Sequence, residues 1–197
     1  MVLPPTREST IMDKKIAVAI LIGGKSRRMG IRKDTVRLES GETFLQRICR
    51  ECAGYKERVI SVNAMQHDID NFAQRHGFKV IEDIYDDFGP MGGIISVLSG
   101  IESNAVLIVA VDMINIKREH IDSLLSCYNG EKILTAVSGS GTEPLFSIYS
   151  KECLPDFQKA VSSGNYSLRK FIENISNRKI YFDNDEIFEN INTYNGR

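Results

Sequence analysis

The chain has 197 residues, of which 42% are hydrophobic and 26% are charged, and its formal net charge is −1. This length fits one domain with a sizeable core, and the composition excludes the low-hydrophobicity, high-charge class of disordered proteins. The near-neutral charge gives no global field that would draw the protein to nucleic acid or to an anionic membrane, and we expect neither partner. No apolar stretch approaches the ~20 residues that cross a bilayer, and no secretion signal precedes the first one, which predicts a cytoplasmic protein.

The spacing of cysteines and histidines argues against a zinc or redox protein. Cys49 and Cys52 have redox-motif spacing, but they lie within a helical pattern, and no second pair completes a zinc site. The remaining cysteines, Cys127 and Cys153, and the three histidines lie in separate segments. We therefore interpret all four cysteines as buried or free thiols.

A single domain is predicted at residues 15–197. Residues 1–14 include two adjacent prolines and lack periodicity, which predicts a loose lead. The first strand is predicted at residues 16–22, because a continuous apolar run that ends at Gly23-Gly24 is typical of a strand buried on both faces. Similar short runs follow at residues 59–62, 80–81, 106–111, 133–137, 145–149 and 179–182.

Segments with helical spacing separate these runs. The clearest lie at residues 44–52, 94–101, 121–128, 154–161 and 168–172. Strands that alternate with helices predict right-handed crossovers and a doubly wound, mostly parallel sheet with helices on both faces, a Rossmann-like α/β fold. Such sheets bind ligands at the carboxyl ends of their strands. The segments that follow the strands, at residues 23–33, 63, 82–93 and 112, are therefore the candidate binding segments.

The loop after the first strand, GGKSRRMGIRKD at residues 23–34, contains three glycines and five basic side chains. Glycine lets backbone N–H groups approach a phosphate closely, and arginine and lysine supply charge-assisted hydrogen bonds. The spacing matches neither the P-loop nor the dinucleotide-binding glycine fingerprint. The loop thus predicts an anion site of another kind, with a solvated basic loop or a nucleic-acid patch as the alternative.

The segment LIGGKSRRMGIRK (residues 21–33) resembles the L-A-G-G-x-S-x-R-M-G-x-x-K signature of molybdenum cofactor guanylyltransferases, the molybdopterin-guanine dinucleotide biosynthesis protein A family. Later segments resemble further landmarks of that family in the same order, so the resemblance extends from residue 15 to residue 193. They are DDFGPMGGI (86–94), VDM (111–113), EPLFSIY (143–149), SLR (167–169) and NINT (190–193). The chain departs from the family pattern at Ile22 and Ile114, where the family has Ala and Pro, and at residues 194–196, where it has Pro-Glu-Asp.

The resemblance implies a nucleotidyltransferase that uses GTP to attach GMP to the terminal phosphate of molybdopterin, with release of pyrophosphate. A phosphomonoester has its second pKa near ~6, so the attacking phosphate is already mostly deprotonated at neutral pH and needs no general base. Catalysis must then come from positioning and from neutralisation of charge.

Three residues are predicted to act on the phosphates. Lys33, the signature lysine, is expected to bridge the α-phosphate and the leaving group, and Arg28 is expected to reach the β- or γ-phosphate. Asp112 follows a buried strand and is expected to bind Mg²⁺, with a helix N-cap as the alternative. The other basic residues of the loop are expected to be solvated; they are Lys25, Arg27 and Arg32.

The resemblance also implies nucleotide and pterin contacts. Backbone N–H groups of the glycine loop are expected to hold the phosphates, and Asn63, Asp83 and Gly89 are expected to contact the base or ribose, with a loop cap as the alternative for Asp83. Asn190 and Asn192 resemble asparagines on the pterin side of the family. The predicted nucleotide-binding residues are Leu21, Gly23, Gly24, Ser26, Lys33, Asn63, Asp83 and Gly89.

Two kinds of alternative function remain open. The same fold could use CTP to make the cytosine form of the cofactor, or act on a sugar phosphate, although in the resembling families a Gly-Gly pair such as Gly23-Gly24 goes with guanine. A non-catalytic nucleotide-binding adaptor is the alternative of another class. The expected partners are GTP, molybdopterin and the proteins that deliver the cofactor and receive it.

Overall fold

Strands and helices alternate along the residues that the computed structural model describes, which are 16–22, 32–85 and 88–189. The strands are β1 (Ile16–Leu21), β2 (Arg58–Val62), β3 (Lys79–Glu82), β4 (Ala105–Ala110), β5 (Ile133–Ser138), β6 (Gly141–Ser150) and β7 (Asn177–Tyr181). The α-helices are α1 (Phe44–Glu51), α2 (His67–His76), α3 (Pro90–Gly100), α4 (Arg118–Cys127), α5 (Leu154–Ser162) and α6 (Leu168–Asn174). Short 3-10 turns occur at Lys33–Thr35, Lys151–Cys153 and Asp185–Phe188.

The strands form one sheet in the order β3-β2-β1-β4-β6-β5-β7. Strand β6 is antiparallel to both of its neighbours, and every other pair of neighbours is parallel. The predicted doubly wound, mostly parallel sheet is therefore confirmed. Because all strands except β6 point the same way, their C-terminal ends meet at one edge of the sheet, which we call the carboxyl edge.

Helices cover both faces of the sheet, as the burial of the β1 side chains on both sides demonstrates. The β1 side chains alternate between two buried clusters, because successive residues of a strand point to opposite faces. Val18 and Ile20 pack in the cluster that contains α1, α2 and α4, whereas Ala17, Ala19 and Leu21 pack in the cluster that contains α3, α5 and α6. Burial on both sides explains the uninterrupted apolar run in the sequence.

Local signals define where the helices begin and end. The Thr43 side chain accepts from the Gln46 N–H at 3.1 Å, and the Gln46 side chain accepts from the Thr43 N–H at 2.8 Å, which completes a capping box at the start of α1. Helix α2 is not evident from the apolar pattern, because Ile69 and Ala73 are its only buried residues. It ends at Gly77, whose φ of 71° is the left-handed conformation that favours glycine.

The predicted element bounds need one substantial correction. Strand β6 begins at Gly141, four residues before the predicted run at 145–149, and a register shift between Thr135 and Ala136 of β5 accompanies its first half. That half is polar and only partly buried, so it carries no apolar pattern. Among the residues that the structure describes, no helix is long and apolar enough to span a membrane.

Candidate active site

Lys33 and Asp112 meet at the carboxyl edge. Lys33 begins the turn Lys33–Thr35 after the glycine loop, and Asp112 follows the end of β4. The Lys33 Nζ donates to Asp112 Oδ2 at 2.5 Å. The Asp112 side chain is 11% exposed and that of Lys33 is 33% exposed. Two residues that were predicted to act on the same phosphates, 79 positions apart, are therefore in direct contact.

Backbone pairing places Asp112 beside the point where the chain leaves β1. The Val111 N–H donates to the Leu21 carbonyl at 3.1 Å, which ties the end of β4 to the end of β1. Helix α4 begins at Arg118 and has Lys117 at its N-cap. The alternative interpretation of Asp112 as the cap of this helix is therefore wrong, because consecutive backbone turns separate Asp112 from the helix.

A clamp of charged side chains holds the turn that carries Lys33. Arg32 donates from Nη2 to Asp34 Oδ2 at 2.6 Å and from Nε to Asp34 Oδ1 at 3.3 Å, and its Nη1 lies 3.0 Å from Asp68 Oδ2 in α2. Asp34 is buried, and its hydrogen bond to Arg32 raises the pKa of the guanidinium. The expectation that Arg32 is merely solvated is wrong. Because Lys33 lies between the two clamped residues, the clamp fixes its backbone.

Four residues from β1, β2, α3 and the loop after β3 form a compact wall next to this pair. The Ser61 hydroxyl donates to Asp83 Oδ1 at 2.7 Å. A β-carbon on Gly93 would lie 3.1 Å from Ser61 Oγ, 3.4 Å from Asp83 Oδ1 and 3.4 Å from Leu21 Cδ2. Glycine at this position thus lets α3 approach the two strands closely. We call Leu21, Ser61, Asp83 and Gly93 the base wall.

Asn63 and Gly89 flank the base wall and are both exposed. Asn63 follows β2, so it lies at the carboxyl edge as predicted. Gly89 is the N-cap residue of α3, with φ of 57° and ψ of −146°, a conformation that is nearly restricted to glycine. Its identity is thus explained by the backbone, and its open surroundings leave room for a ligand.

The family comparison decides how this arrangement is classified. The family model described as the MobA-like NTP transferase domain matches residues 18–180. The chain belongs to this family. A probable molybdenum cofactor guanylyltransferase from Clostridium perfringens (strain 13 / Type A) is 31% identical over 196 residues, covering 92% of this chain and 93% of the relative. Another protein of that name, from Pyrococcus horikoshii, is 32% identical over 167 residues and covers 83% and 84% of the two chains.

A solved structure agrees with the MobA-like fold. Molybdopterin-guanine dinucleotide biosynthesis protein A from Archaeoglobus fulgidus superposes with a TM-score of 0.74 at 23% identity, covering 90% of this chain and 93% of that one. This likeness concerns the fold. Membership of the MobA-like family establishes that the chain is a nucleotidyltransferase.

The glycine loop and the tail of this MobA-like chain hold the remaining predicted residues. They lie outside the described residues and are Gly23, Gly24, Ser26, Arg28, Asn190 and Asn192. The described residues on either side of the loop, Ile22 and Arg32, lie at the carboxyl edge with Lys33 and Asp112. The chain therefore enters and leaves the glycine loop beside the charged pair.

Asp112 offers a ligand that suits magnesium. Its Oδ1 makes no hydrogen bond to the described residues, and Oδ2 contacts only Lys33 among them. Within residues 16–22, 32–85 and 88–189, no three His, Cys, Asp or Glu side chains form a cluster that could hold a metal alone. Magnesium bound to a nucleotide needs only one or two protein carboxylates, since phosphate oxygens and waters complete its shell. The residues present fit that requirement.

The cysteine pair has no catalytic environment. Cys49 lies in α1, Cys52 lies at its C-terminus, and both are buried and free. Burial raises the pKa of Cys49 to about 12 and raises the pKa of Cys52 as well. Reactive cysteines need the thiolate, which these surroundings disfavour. The prediction that both are buried, free thiols is confirmed.

Sequence reasoning missed several site residues, and only some of them carried a signal. The double glycine Gly92-Gly93 inside a helical segment signals close packing against a neighbouring element. Ser61 interrupts an apolar strand, which marks it as a residue with a polar partner. Asp34 carries no such signal, because no pattern in the sequence reveals its burial or its hydrogen bonds with Arg32.

Proposed function

We propose that this chain transfers GMP from GTP to the terminal phosphate of molybdopterin and releases pyrophosphate. The contact between Lys33 and Asp112 carries the proposal, because it joins a cationic side chain and a carboxylate that suits a metal at the edge where α/β sheets bind ligands. Relatives named molybdenum cofactor guanylyltransferase, with 31% and 32% identity, support the choice of nucleotide and acceptor.

The reaction requires control of negative charge rather than proton transfer. An oxygen of the acceptor phosphate attacks the α-phosphorus of GTP, the bond to the bridging oxygen breaks, and pyrophosphate leaves with that electron pair. The attacking phosphate is mostly deprotonated at neutral pH. The protein must therefore hold two anions close together and stabilise the charge that develops on pyrophosphate.

Lys33 is proposed to stabilise that developing charge. Its ammonium group sits on a flexible four-carbon stem, so it can move from the Asp112 carboxylate to a phosphate oxygen while the backbone stays fixed. The clamp between Arg32 and Asp34 supports this fixed backbone. The pairing with Asp112 neutralises the charge of the partly buried lysine.

Asp112 is proposed to hold Mg²⁺ against the nucleotide phosphates. When bound, the ion supplies positive charge at the phosphate oxygens. Asp112 is positioned for this role by the backbone hydrogen bond from Val111 to Leu21, and its Oδ1, which accepts no hydrogen bond from the described residues, supports the assignment.

The glycine loop is proposed to bind the phosphate chain. Backbone N–H groups of Gly23, Gly24 and Ser26 would contact the phosphates, and Arg28 would neutralise the β- or γ-phosphate. The position of the adjoining residues Ile22 and Arg32 at the carboxyl edge supports this role.

The base wall is proposed to select guanine. Asp83 supports this, because a carboxylate accepts two neighbouring N–H donors, which the edge of guanine offers and the edge of cytosine does not. Ser61 donates to one Asp83 oxygen and so orients the carboxylate. Asn63 and Gly89 are proposed to contact the base or ribose from either side.

The tail is proposed to bind the pterin half of the acceptor through Asn190 and Asn192. We further propose that the protein meets cofactor-delivering proteins and acceptor molybdoenzymes, since the cofactor must be passed between proteins. Both proposals rest on the family resemblance.

Nucleotide selection is tested with GTP, CTP, ATP and UTP in the presence of magnesium. Each nucleotide is titrated by calorimetry, and transfer is followed as pyrophosphate release with molybdopterin as acceptor. We expect GTP to bind at least about tenfold more tightly than CTP, a ratio that needs only ~1.4 kcal/mol of differential binding. Equal affinities would refute the guanine assignment, a preference for CTP would indicate cytidylyl transfer, and binding without pyrophosphate release would indicate an adaptor.

The roles of the charged pair are tested with Lys33→Ala and Asp112→Asn. Lys33→Ala should lower turnover far more than GTP affinity, since the ammonium acts on charge that develops in the transition state. Asp112→Asn should lower transfer by about tenfold or more, with partial recovery at high magnesium.

A second Lys–Asp pair serves as the matched control. Lys132 Nζ lies 2.8 Å from Asp156 Oδ2 at the opposite edge of the sheet, and these side chains are 40% and 30% exposed. Lys132→Ala and Asp156→Asn should leave transfer unchanged. Normal transfer by Asp112→Asn, or a loss of activity that only follows unfolding, would contradict the metal role.

A further inference from the structure

Residues 183–189, which we call the crossing segment, run over the carboxyl edge of the sheet. The chain leaves β7 at the outer edge, and the Phe182 N–H still donates to the Val137 carbonyl of β5 at 2.9 Å. It then passes β5 and β6 and reaches the loop after β4. The crossing segment thus spans the half of the carboxyl edge that the base wall does not occupy.

Buried aromatic side chains hold the crossing segment in place. Phe188 is 7% exposed and lies 5.7 Å from the Phe146 ring of β6 and 5.5 Å from the Phe182 ring, centroid to centroid. Ile187 beside it is also buried. These contacts pack the segment against the sheet.

Two exposed hydrogen bonds fix the position of that backbone. Asn115 Nδ2 donates to the Glu186 carbonyl at 2.8 Å, and the Gly139 N–H donates to Asp185 Oδ1 at 2.6 Å. Asn115 lies three residues after Asp112, in the same series of backbone turns. The first bond therefore links the crossing segment directly to the loop that carries Asp112.

Glycine at position 139 lies close to the Asp185 carboxylate. A β-carbon there would overlap with Asp185 Oδ2, so the carboxylate would have to shift, although the φ angle of Gly139 is not in the left-handed region. Alanine at 139 is thus compatible with the backbone and displaces the Asp185 side chain from its present position.

We propose that the crossing segment forms one wall of the site for the phosphate acceptor, and that Asn115 and Asp185 are its positioning residues. The inference rests on the proposed transfer of GMP to a phosphomonoester acceptor. The base wall occupies the β1–β3 half of the carboxyl edge, which leaves the β4–β7 half, lined by the crossing segment, for the acceptor. A change that loosens this segment should therefore weaken binding of the acceptor and leave binding of the nucleotide unaffected.

The test compares Asn115→Asp with Asn174→Asp. Both asparagines are exposed and donate to a backbone carbonyl, Asn174 to that of Lys170 at 2.7 Å in α6. Each substitution keeps the shape of the side chain and removes the donor. Gly139→Ala is the second test variant, and Asp185→Asn, which keeps an oxygen acceptor, is the conservative variant.

The first readout is hydrogen exchange, which does not depend on activity. We expect the backbone amides of residues 183–189 to exchange about fivefold faster in Asn115→Asp and Gly139→Ala, as the loss of one exposed hydrogen bond produces, and to be unchanged in the two other variants. Unchanged exchange in Asn115→Asp would show that the hydrogen bond does not position the segment.

The second readout is steady-state kinetics with molybdopterin. In Asn115→Asp and Gly139→Ala we expect the KM for the acceptor to rise about threefold or more, while the Kd for GTP stays within about twofold of wild type. If amide hydrogen exchange of residues 183–189 is faster but the KM for the acceptor is unchanged, the proposal that the crossing segment lines the acceptor site is wrong. If wild type itself transfers no GMP, the proposed function fails, whereas the exchange experiment still decides whether the hydrogen bonds position the segment.

Discussion

Gly93→Ala tests whether the base wall requires a residue without a β-carbon at this position of α3. The new β-carbon would stand 3.1 Å from Ser61 Oγ, closer than an ordinary contact, so the hydroxyl must move. Ser61 is 2% exposed and has no solvent to turn toward. We therefore expect Ser61 to lose its hydrogen bond to Asp83.

Two opposing contributions set the change in the free energy of unfolding. Alanine in place of glycine stabilises a helix by at most about 1 kcal/mol. A hydrogen bond to a charged group is worth about 1.5–3 kcal/mol, so its loss is the larger effect. The net destabilisation is about 0.5–2 kcal/mol, which lowers Tm by roughly 1–8 °C for a chain of this length. GTP affinity should fall about tenfold, because the Asp83 carboxylate is no longer oriented.

The assay is a double-mutant cycle with Ser61→Ala, read by thermal unfolding and by calorimetric titration with GTP. Without the Ser61 hydroxyl, the remaining distances from the new β-carbon, 3.4 Å to Asp83 Oδ1 and to Leu21 Cδ2, are ordinary contacts. Gly93→Ala should then stabilise the protein in the Ser61→Ala background and destabilise it in wild type. If Gly93→Ala has the same effect on stability in both backgrounds, the reasoning is refuted.

Three further predictions concern the clamp, the histidine of α4 and the thiols. Asp34→Asn should lower Tm and GMP transfer together, because the Lys33 turn loses its buried anchor, whereas Asp156→Asn should leave transfer unchanged; equal transfer by both variants would exclude the clamp. Burial lowers the pKa of His120 below 6.5, so the unfolded chain takes up the proton at higher pH than the folded protein. Stability is therefore lost as pH falls from about 6.5 through the lower pKa of the folded protein. Urea unfolding of His120→Gln should therefore show a shallower loss of stability on acidification than wild type, and parallel curves would contradict this. Iodoacetamide should modify Cys127 first in the native protein, because the other three thiols are buried with raised pKa values, and mass spectrometry that finds an earlier site would contradict their burial.

The elements predictable from sequence are those whose pattern follows from burial. β1 and β4 are buried on both faces, and each is an uninterrupted apolar run that ends just before a candidate site residue. The rule that carboxyl ends of parallel strands meet at one edge predicts that the segment after β1 and Asp112 after β4 share that edge. The direct ion pair between Lys33 and Asp112 was not predicted.

Features that depend on how the elements pack were not predictable. Helix α2 is mostly exposed, so neither the helix nor the contact of Asp68 with Arg32 follows from the apolar pattern. The antiparallel direction of β6 is likewise set by pairing with β4 and β5 rather than by its own residues. The base wall required knowing that α3 lies on Ser61, which a single helix pattern does not contain.

The antiparallel strand β6 has a consequence for the order of assembly. Its partner β5 directly precedes it, so these two strands form a hairpin through contacts that are close in sequence and need no large loop closure. The other partner, β4, is an open strand edge until that hairpin docks, and the final turn at Asp185–Phe188 then packs against Phe146 of β6. The topology therefore predicts that this hairpin gains structure before β4 pairs with β1, because those two strands lie far apart in the sequence.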